Sequence, residues 1–247
     1  MQTDSVHDAG LQHPHLVHLI PGKLAFASLA AAEVKALQKS LEHHEISYIS
    51  SELHRKYVPF SSDFGPVDLG ILHRFCIAFS KRLAKPNAPL IIYCFDRTFA
   101  SRANACFLLA GFMMLHRGWS LEQASATFQC PHLPFPLKPF RDAMPTKQDF
   151  DLRLHDCLSG LSRALALRWY DRRTFSLAKY ERLDSPCGGD IHEICPKFVA
   201  FKGPLSVGSP YLQPGEIALP PSEYVPVLRQ LGVTCVVRLN EVDTYDR

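Results

Sequence analysis

The segment from Leu90 to Arg117 constrains the fold most. Leu90-Ile-Ile-Tyr-Cys94 is a short apolar run after a turn. Residues 101–117 have a helical pattern and are apolar nearly all round, through Ala103, Ala105, Cys106, Phe107, Leu108, Leu109, Phe112 and Met113. A continuous apolar run of that length reads as a strand covered on both faces. A helix without a polar face must be enclosed by other elements. Together they predict a central strand feeding a central helix, the middle of an α/β domain.

The flanking segments fit such a centre. Ile20 to Ala27 and Ile46 to Ile49 read as strands, and residues 31–42 as a helix with Val34, Leu37 and Leu41 on one face. Asp63-Phe64-Gly65-Pro66 is a turn, with Pro66 expected in a first helical turn. Val67, Ile71, Phe75, Phe79 and Leu83 then recur at i+4, a buried helix face ending before Pro86. Ser120-Leu-Glu-Gln123 fits a capping box for a helix to about Phe128. His132 to Pro145 is Pro-rich loop, with Arg141-Asp142 a candidate ion pair. Thr146 is expected to cap a long helix carrying Phe150, Leu154, Cys157, Leu158, Leu161 and Leu165, its solvated face basic near 163–173.

A further helix is expected at 174–183 and a break at Cys187-Gly188-Gly189-Asp190. Ile194-Cys195-Pro196-Lys197-Phe198-Val199-Ala200-Phe201-Lys202 then echoes Leu19-Ile20-Pro21-Gly22-Lys23-Leu24-Ala25-Phe26-Ala27. A helix from Pro221 to Leu231, Gly232 as its cap and a strand from Val233 to Leu239 would open a second α/β unit. The 247 residues amount to about one and a half domains at ~150 residues each.

Composition excludes several classes. A formal charge of +3, from 27 basic and 24 acidic residues, is too balanced to argue for nucleic acid. No apolar run reaches the ~18 residues of a membrane span. The start, Met1 to Asp8, has no basic stretch before an apolar one, so no secretory signal is visible. The eight cysteines form no C-x-x-C pair and read as reduced cytosolic or nuclear thiols, most of them filling the core. His13-Pro-His15 and His43-His44 lack a partnered ligand set, so neither a metal nor another cofactor is expected.

Several collinear blocks resemble the cell-division-cycle-fourteen family of dual-specificity protein phosphatases, which act at mitotic exit. They are Phe60-Ser-Ser-Asp63-Phe64-Gly65-Pro66 with Arg74-Phe75-Cys76; Cys94-Phe95-Asp96 with Arg102-Ala103-Asn104-Ala105 and Phe107-Leu108; and Pro139-Phe140-Arg141-Asp142-Ala143. Asp156-Cys157-Leu158, Phe175 with Tyr180-Glu181, Gly189-Asp190, Pro196-Lys197-Phe198, Ala200-Phe201 with Gly203-Pro204, and Val233-Thr234 with Val237-Arg238-Leu239-Asn240 follow. The resemblance implies two tandem phosphatase-like domains, the first without catalytic residues and shaping the substrate groove. It implies a mobile leader over 1–18, a non-catalytic domain over 19–170, a linker helix over 171–190 and the truncated start of a catalytic domain over 191–247. The expected architecture is thus α/β, a central sheet flanked by helices, plus a linker helix and part of a second such domain.

Cysteine phosphatases use a His-Cys-x5-Arg loop between strand and helix. The cysteine is a low-pKa thiolate, loop amides and the helix N-terminus cradle the phosphate, and the arginine grips two oxygens. Only Cys94 sits at a strand-to-helix junction, and the pattern around it is degenerate. Tyr93 stands where the histidine should be, two residues separate Cys94 from Arg97 and seven separate it from Arg102. The loop has no glycine, and Asp96 would repel a phosphate dianion. Cys94, Asp96, Arg97 and Arg102 therefore form the candidate degenerate phosphate loop.

The family's catalytic loop and general acid lie downstream of the strand matching Val233 to Leu239, so no phosphatase activity is expected of this polypeptide alone. The resemblance also implies a substrate groove with acidic residues at Glu181, Asp184 and Asp190, suited to phosphoserine-proline sites with a nearby basic residue. Glu181 and Asp184 are three apart, on one face of a helix that reaches both. Self-association and a nuclear or cytoplasmic location are further expectations from the family. Two other classes remain open: a pseudophosphatase binding phosphorylated or basic peptides, and an interaction scaffold.

Overall fold

In the computed structural model the described residues are 15–41, 46–50, 57, 59, 62–129, 133–144, 146–205, 217, 219–239 and 245. Most of the expected leader, and Phe60, Ser61 and Asn240 of the resemblance blocks, lie outside them. The chain divides into two compact units, one up to Ala166 and one from Leu167.

The first unit runs β1 (Val17–Ile20), β2 (Leu24–Ser28), α1 (Ala31–Ser40), β3 (Ile46–Ser50), α2 (Leu69–Leu83), β4 (Leu90–Phe95), α3 (Phe99–Arg117), α4 (Leu121–Thr127) and α5 (Leu154–Ala166). Its sheet has the order β1-β2-β4-β3, with β1 antiparallel to β2, and β2 and β3 both parallel to β4. The expected central strand is indeed central. Side chains alternate across it, as a strand's must. Ile91, Tyr93 and Phe95 enter the large core under α2 and α3, whereas Ile92 and Cys94 enter a smaller one with Ala27, Leu29 and Leu37 of the α1 side. The chain is therefore an α/β domain with a mixed central sheet flanked by helices.

α3 is enclosed as its composition demands, packing on α2, α4, α5 and β4. Thr98 caps its start by accepting from Ser101 N at 3.2 Å. The α2 stripe is buried through Ile71, Leu72, Phe75, Cys76 and Phe79. The capping box of α4 forms as expected, Gln123 N to Ser120 Oγ at 3.2 Å and Ser120 N to Gln123 Oε1 at 2.9 Å.

Four local expectations need correction. The apolar stretch around Ile20 is not one strand but a hairpin, closed by Lys23 N to Ile20 O at 3.0 Å, and β1 starts inside the expected leader. Pro66 precedes α2, because Asp68 caps the helix by accepting from Ile71 N at 2.8 Å. α5 starts at Leu154 rather than after Thr146, leaving Phe150 exposed. Side chains there offer the backbone other partners: Gln148 Nε2 donates to the carbonyls of Phe140 and Phe150, and Asp156 accepts from Arg153 N; the backbone itself bridges from Phe140 N to Leu152 O. Arg141 donates to the carbonyls of Met144 and Thr146 at 2.6 and 2.7 Å, while Asp142 accepts from Met144 N.

The second unit contains α6 (Leu177–Asp184), a single 3-10 turn (Pro186–Gly188), β5 (Ile191–Cys195), β6 (Phe198–Phe201) and α7 (Pro221–Gln230). The echoing segment forms an antiparallel hairpin like β1–β2. Both have a register shift just before the turn, between His18 and Ile20 and between Glu193 and Cys195. Its core is small, with Leu183, Ile191, Tyr224 and Leu228 buried. Val233 to Leu239 is not a strand among the described residues, and Val237 and Leu239 are exposed. A strand needs a neighbour for its backbone, and among the described residues no strand pairs with this segment.

Candidate functional site

The β4–α3 junction sits at the C-terminal end of the central strand, beside a cleft of about 290 Å³. In open α/β sheets that end is where ligands bind. The four candidate loop residues do not converge there. Cys94 points to the opposite sheet face, into the small core with Ala27 and Leu37, and is only 4% exposed. Burial pushes its thiol up to about 11, away from the thiolate that a nucleophile needs. Arg97 turns to α1 and pairs with Glu33. Arg102 donates from Nε to Ser28 Oγ at 2.9 Å and lies over the Phe135 ring, 5.1 Å from its centroid.

Asp96 alone of the four lines the cleft. Its Oδ1 accepts from Thr98 N at 2.8 Å and from Thr98 Oγ at 2.5 Å. Those are donors that an incoming phosphate would require, so the loop binds its own carboxylate instead. Tyr93, in the histidine position, is a core residue: its ring meets Phe75 and Phe79 edge-on, 5.5 Å between centroids in each case.

Asn104 is the side chain that builds the cleft, and the sequence singled it out only as part of a motif. Its Oδ1 accepts from Val67 N at 2.9 Å, and its Nδ2 donates to Phe64 O at 2.6 Å and Ala100 O at 3.1 Å. It clamps the 64–67 strap to the first turns of α3. A polar amide at the start of the helix's long apolar run was the available signal. On the strap's other side Tyr57 donates to the Asp63 carboxylate. Burial first, and that carboxylate second, raise the Tyr57 hydroxyl above its ordinary range.

The three candidate groove acids lie in the second unit. α6 carries Glu181 and Asp184, and Asp190 follows the 3-10 turn with φ 48°. Asp184 meets His192 at 3.2 Å and Asp190 meets Lys202 at 3.9 Å. Next to them Lys179 pairs with Glu193 at 2.5 Å. These half-exposed contacts tie α6 and its following turn to β5–β6. Such pairs contribute little stability each, ~0–1 kcal/mol, and leave oxygens at the surface. Among the described residues no cluster of three or more histidine, cysteine or acidic side chains is placed to hold a metal ion. No helix described is long and apolar enough to cross a membrane.

Similarity to known proteins agrees with the α/β fold. A family model described as "Dual specificity protein phosphatase, N-terminal half" matches residues 18–164. The human dual specificity protein phosphatase CDC14A is 32% identical over 199 residues, covering 78% of this chain and 33% of that protein. Mouse CDC14B is 30% identical over 225 residues, 90% of this chain and 44% of the relative. The tyrosine-protein phosphatase cdc-14 of Caenorhabditis elegans is 28% identical over 245 residues, 94% and 33%. The chain thus spans from a third to less than half of these relatives. It belongs to the CDC14-type dual specificity protein phosphatases, and what it holds of them is chiefly the N-terminal half.

Proposed function

We propose that this chain acts as the non-catalytic, substrate-shaping N-terminal part of a dual-specificity protein phosphatase. One observation carries the reading: at the β4–α3 junction the only cysteine is buried on the far face of the sheet, with its thiol pushed up to about 11. A scaffold of the phosphatase type is retained while the nucleophile, the arginine fork and the phosphate-binding amide are each engaged elsewhere. The sequence holds no His-Cys-x5-Arg loop.

Activity and thiol chemistry test it together. The purified chain should hydrolyse an aryl phosphate no faster with Cys94 than with Cys94→Ser. Iodoacetamide at neutral pH should label the exposed Cys187 and Cys235 first, and Cys94 only as pH approaches 11. The sign follows from the raised value: the folded thiol stays protonated where the unfolded one has ionised. Its contribution to stability is present below ~9 and lost as pH rises towards 11. Turnover abolished by Cys94→Ser, or first labelling at Cys94, overturns the reading.

The substrates in this proposal are phosphoproteins with a phosphoserine-proline site and a basic residue shortly after it. Glu181, Asp184 and Asp190 supply negative charge for that residue. A second copy of the chain is a further proposed partner, and the nucleus and cytoplasm the proposed locations. A phosphoserine-proline-x-x-Lys peptide should bind ~5-fold more weakly to the Glu181→Gln/Asp184→Asn double variant, measured by fluorescence anisotropy. Unchanged affinity removes the groove from the proposal.

A further inference from the structure

Arginine stands three residues before a serine at three places in the chain: Arg117 before Ser120, Arg173 before Ser176 and Arg182 before Ser185. Basophilic protein kinases read that spacing. An acidic pocket takes the guanidinium while the serine hydroxyl reaches the catalytic base. Those two points are well separated in such an enzyme. Three residues span ~4.5 Å along a helix but ~10 Å along an extended chain. The arginine and the serine must therefore lie on a segment that can be drawn out.

The fold separates the three serines. Arg117 is the last residue of α3 and Ser120 caps α4, so drawing that segment out would fray both helices. Arg182 lies inside α6, and Ser185 Oγ both donates to Arg182 O and accepts from Gly188 N. Arg173 alone of the three arginines is outside a helix, in the turn at 172–174 between α5 and α6. It is exposed, as are Thr174 and Ser176, and Arg172 adds a second cation beside it. Ser176 already has extended backbone, with φ −89° and ψ 97°, and its Oγ accepts from Lys179 N at a long 3.3 Å. Asp171 closes the turn: its carbonyl accepts from Thr174 N and Phe175 N, at 3.2 and 2.9 Å, and its carboxylate from Arg173 N at 2.9 Å. The Phe175 ring lies 5.3 Å from Tyr170 and 5.4 Å from Tyr180. Opening the turn gives up these local contacts and leaves α5 whole, a sub-global event of the kind surface segments undergo readily.

We propose that Ser176 is a phosphorylation site for a basophilic protein kinase, selected through Arg173. The kinase's ATP supplies the group. Ser176 Oγ bonds to the γ-phosphorus, the bond from that phosphorus to the β–γ bridging oxygen breaks, ADP leaves, and the hydroxyl proton passes to the kinase's carboxylate base. The product sits at the N-cap of α6. It carries about 1.5–2 negative charges at pH 7, at the helix end whose dipole favours them, and it can accept from the same Lys179 amide. The Lys179 ammonium, which pairs with Glu193, is one helical turn away. Modification thus firms the head of α6 and adds negative charge to the helix that carries Glu181 and Asp184. The site depends neither on Cys94 nor on a groove role for those acids.

The test incubates the full chain with MgATP and the catalytic domain of a calmodulin-dependent protein kinase, which selects arginine at this spacing. The phosphate is then mapped by mass spectrometry. One phosphate per chain, on Ser176, is expected. Arg173→Ala should slow incorporation at least tenfold, and Arg117→Ala should leave it unchanged. Ser176→Asp keeps an N-cap acceptor, so it should fold as the parent chain does and take no phosphate. In the phosphorylated chain, hydrogen exchange of the Lys179 amide should slow about threefold.

No incorporation overturns the inference. So does phosphate chiefly on Ser120, Ser185 or Thr174, or an undiminished rate in Arg173→Ala. Unslowed exchange at Lys179 in a chain phosphorylated on Ser176 overturns its effect on α6. None of these outcomes bears on the non-catalytic reading, which stands or falls on Cys94.

Discussion

Phe79→Ala is expected to destabilise the first unit by ~3–5 kcal/mol. Phe79 is fully buried and at the centre of a ring cluster. It stacks on Phe75 at 4.2 Å between centroids and meets Tyr93 at 5.5 Å and Phe112 at 5.9 Å. The three partners come from α2, β4 and α3, so no one element can move in to fill the void. Truncation removes the apolar transfer energy, leaves a cavity and takes away ring contacts of ~0.5–1.5 kcal/mol each. The thermal midpoint should fall by roughly 10 °C, read by far-UV circular dichroism. Phe79→Leu should lose less than half as much. A loss under ~1 kcal/mol for the alanine variant would mean that this core relaxes freely, contrary to close packing.

The same cluster explains why the degenerate loop is locked. Tyr93 packs edge-on against the stacked rings of Phe75 and Phe79, so the residue before Cys94 is fixed to the α2–α3 side of the sheet. Strand alternation then sends Cys94 to the other side, under α1. A histidine at 93 would not recover a catalytic loop, because the cysteine would still face the wrong core.

Elements whose pattern is local were legible in the residues. α3 shows itself by apolar composition, α2 by its i+4 stripe, and α4 by Ser120 and Gln123. Features set by distant partners were not. A strand buried on both faces has no polar side to fix its orientation, so the direction of Cys94 depended on where α1 lies. The start of α5 depended on Gln148 reaching the carbonyl of Phe140. The resemblance likewise located the loop at Cys94, Asp96, Arg97 and Arg102. It did not foresee that Glu33 and Ser28, some 64 and 74 residues from their arginines, hold two of the four away. A strand over Val233 to Leu239 was a sound reading of composition, but pairing belongs to a neighbour and cannot be read from one segment.

In the second unit the largest expected effect is at Gly188. α6 ends at Asp184, and the chain must reverse at once into β5. Ser185 organises the reversal: its Oγ donates to Arg182 O at 2.8 Å and accepts from Gly188 N at 3.0 Å. This brings Gly188 so close to the helix end that an added Cβ would lie 2.0 Å from Arg182 O and 2.9 Å from Leu183 O. Those are backbone atoms and cannot rotate aside. The next residue, Gly189, sits at φ 92° with its carbonyl accepting from the Tyr224 hydroxyl, so it cannot take up the displacement easily. Gly188→Ala should therefore cost roughly 2–4 kcal/mol, a large share of what a core of four buried side chains supplies. Hydrogen exchange of the paired amides of β5 and β6 should accelerate at least tenfold, because opening of the reversal frees the hairpin. Asp190 follows directly, and its contact with Lys202 should be lost with the turn. The variant would then weaken binding of the basic phosphopeptide without altering a charged residue. Retained protection in β5 and β6 would show that α6 can slide by the missing space, and that the placement of the acidic residues is not set by this turn.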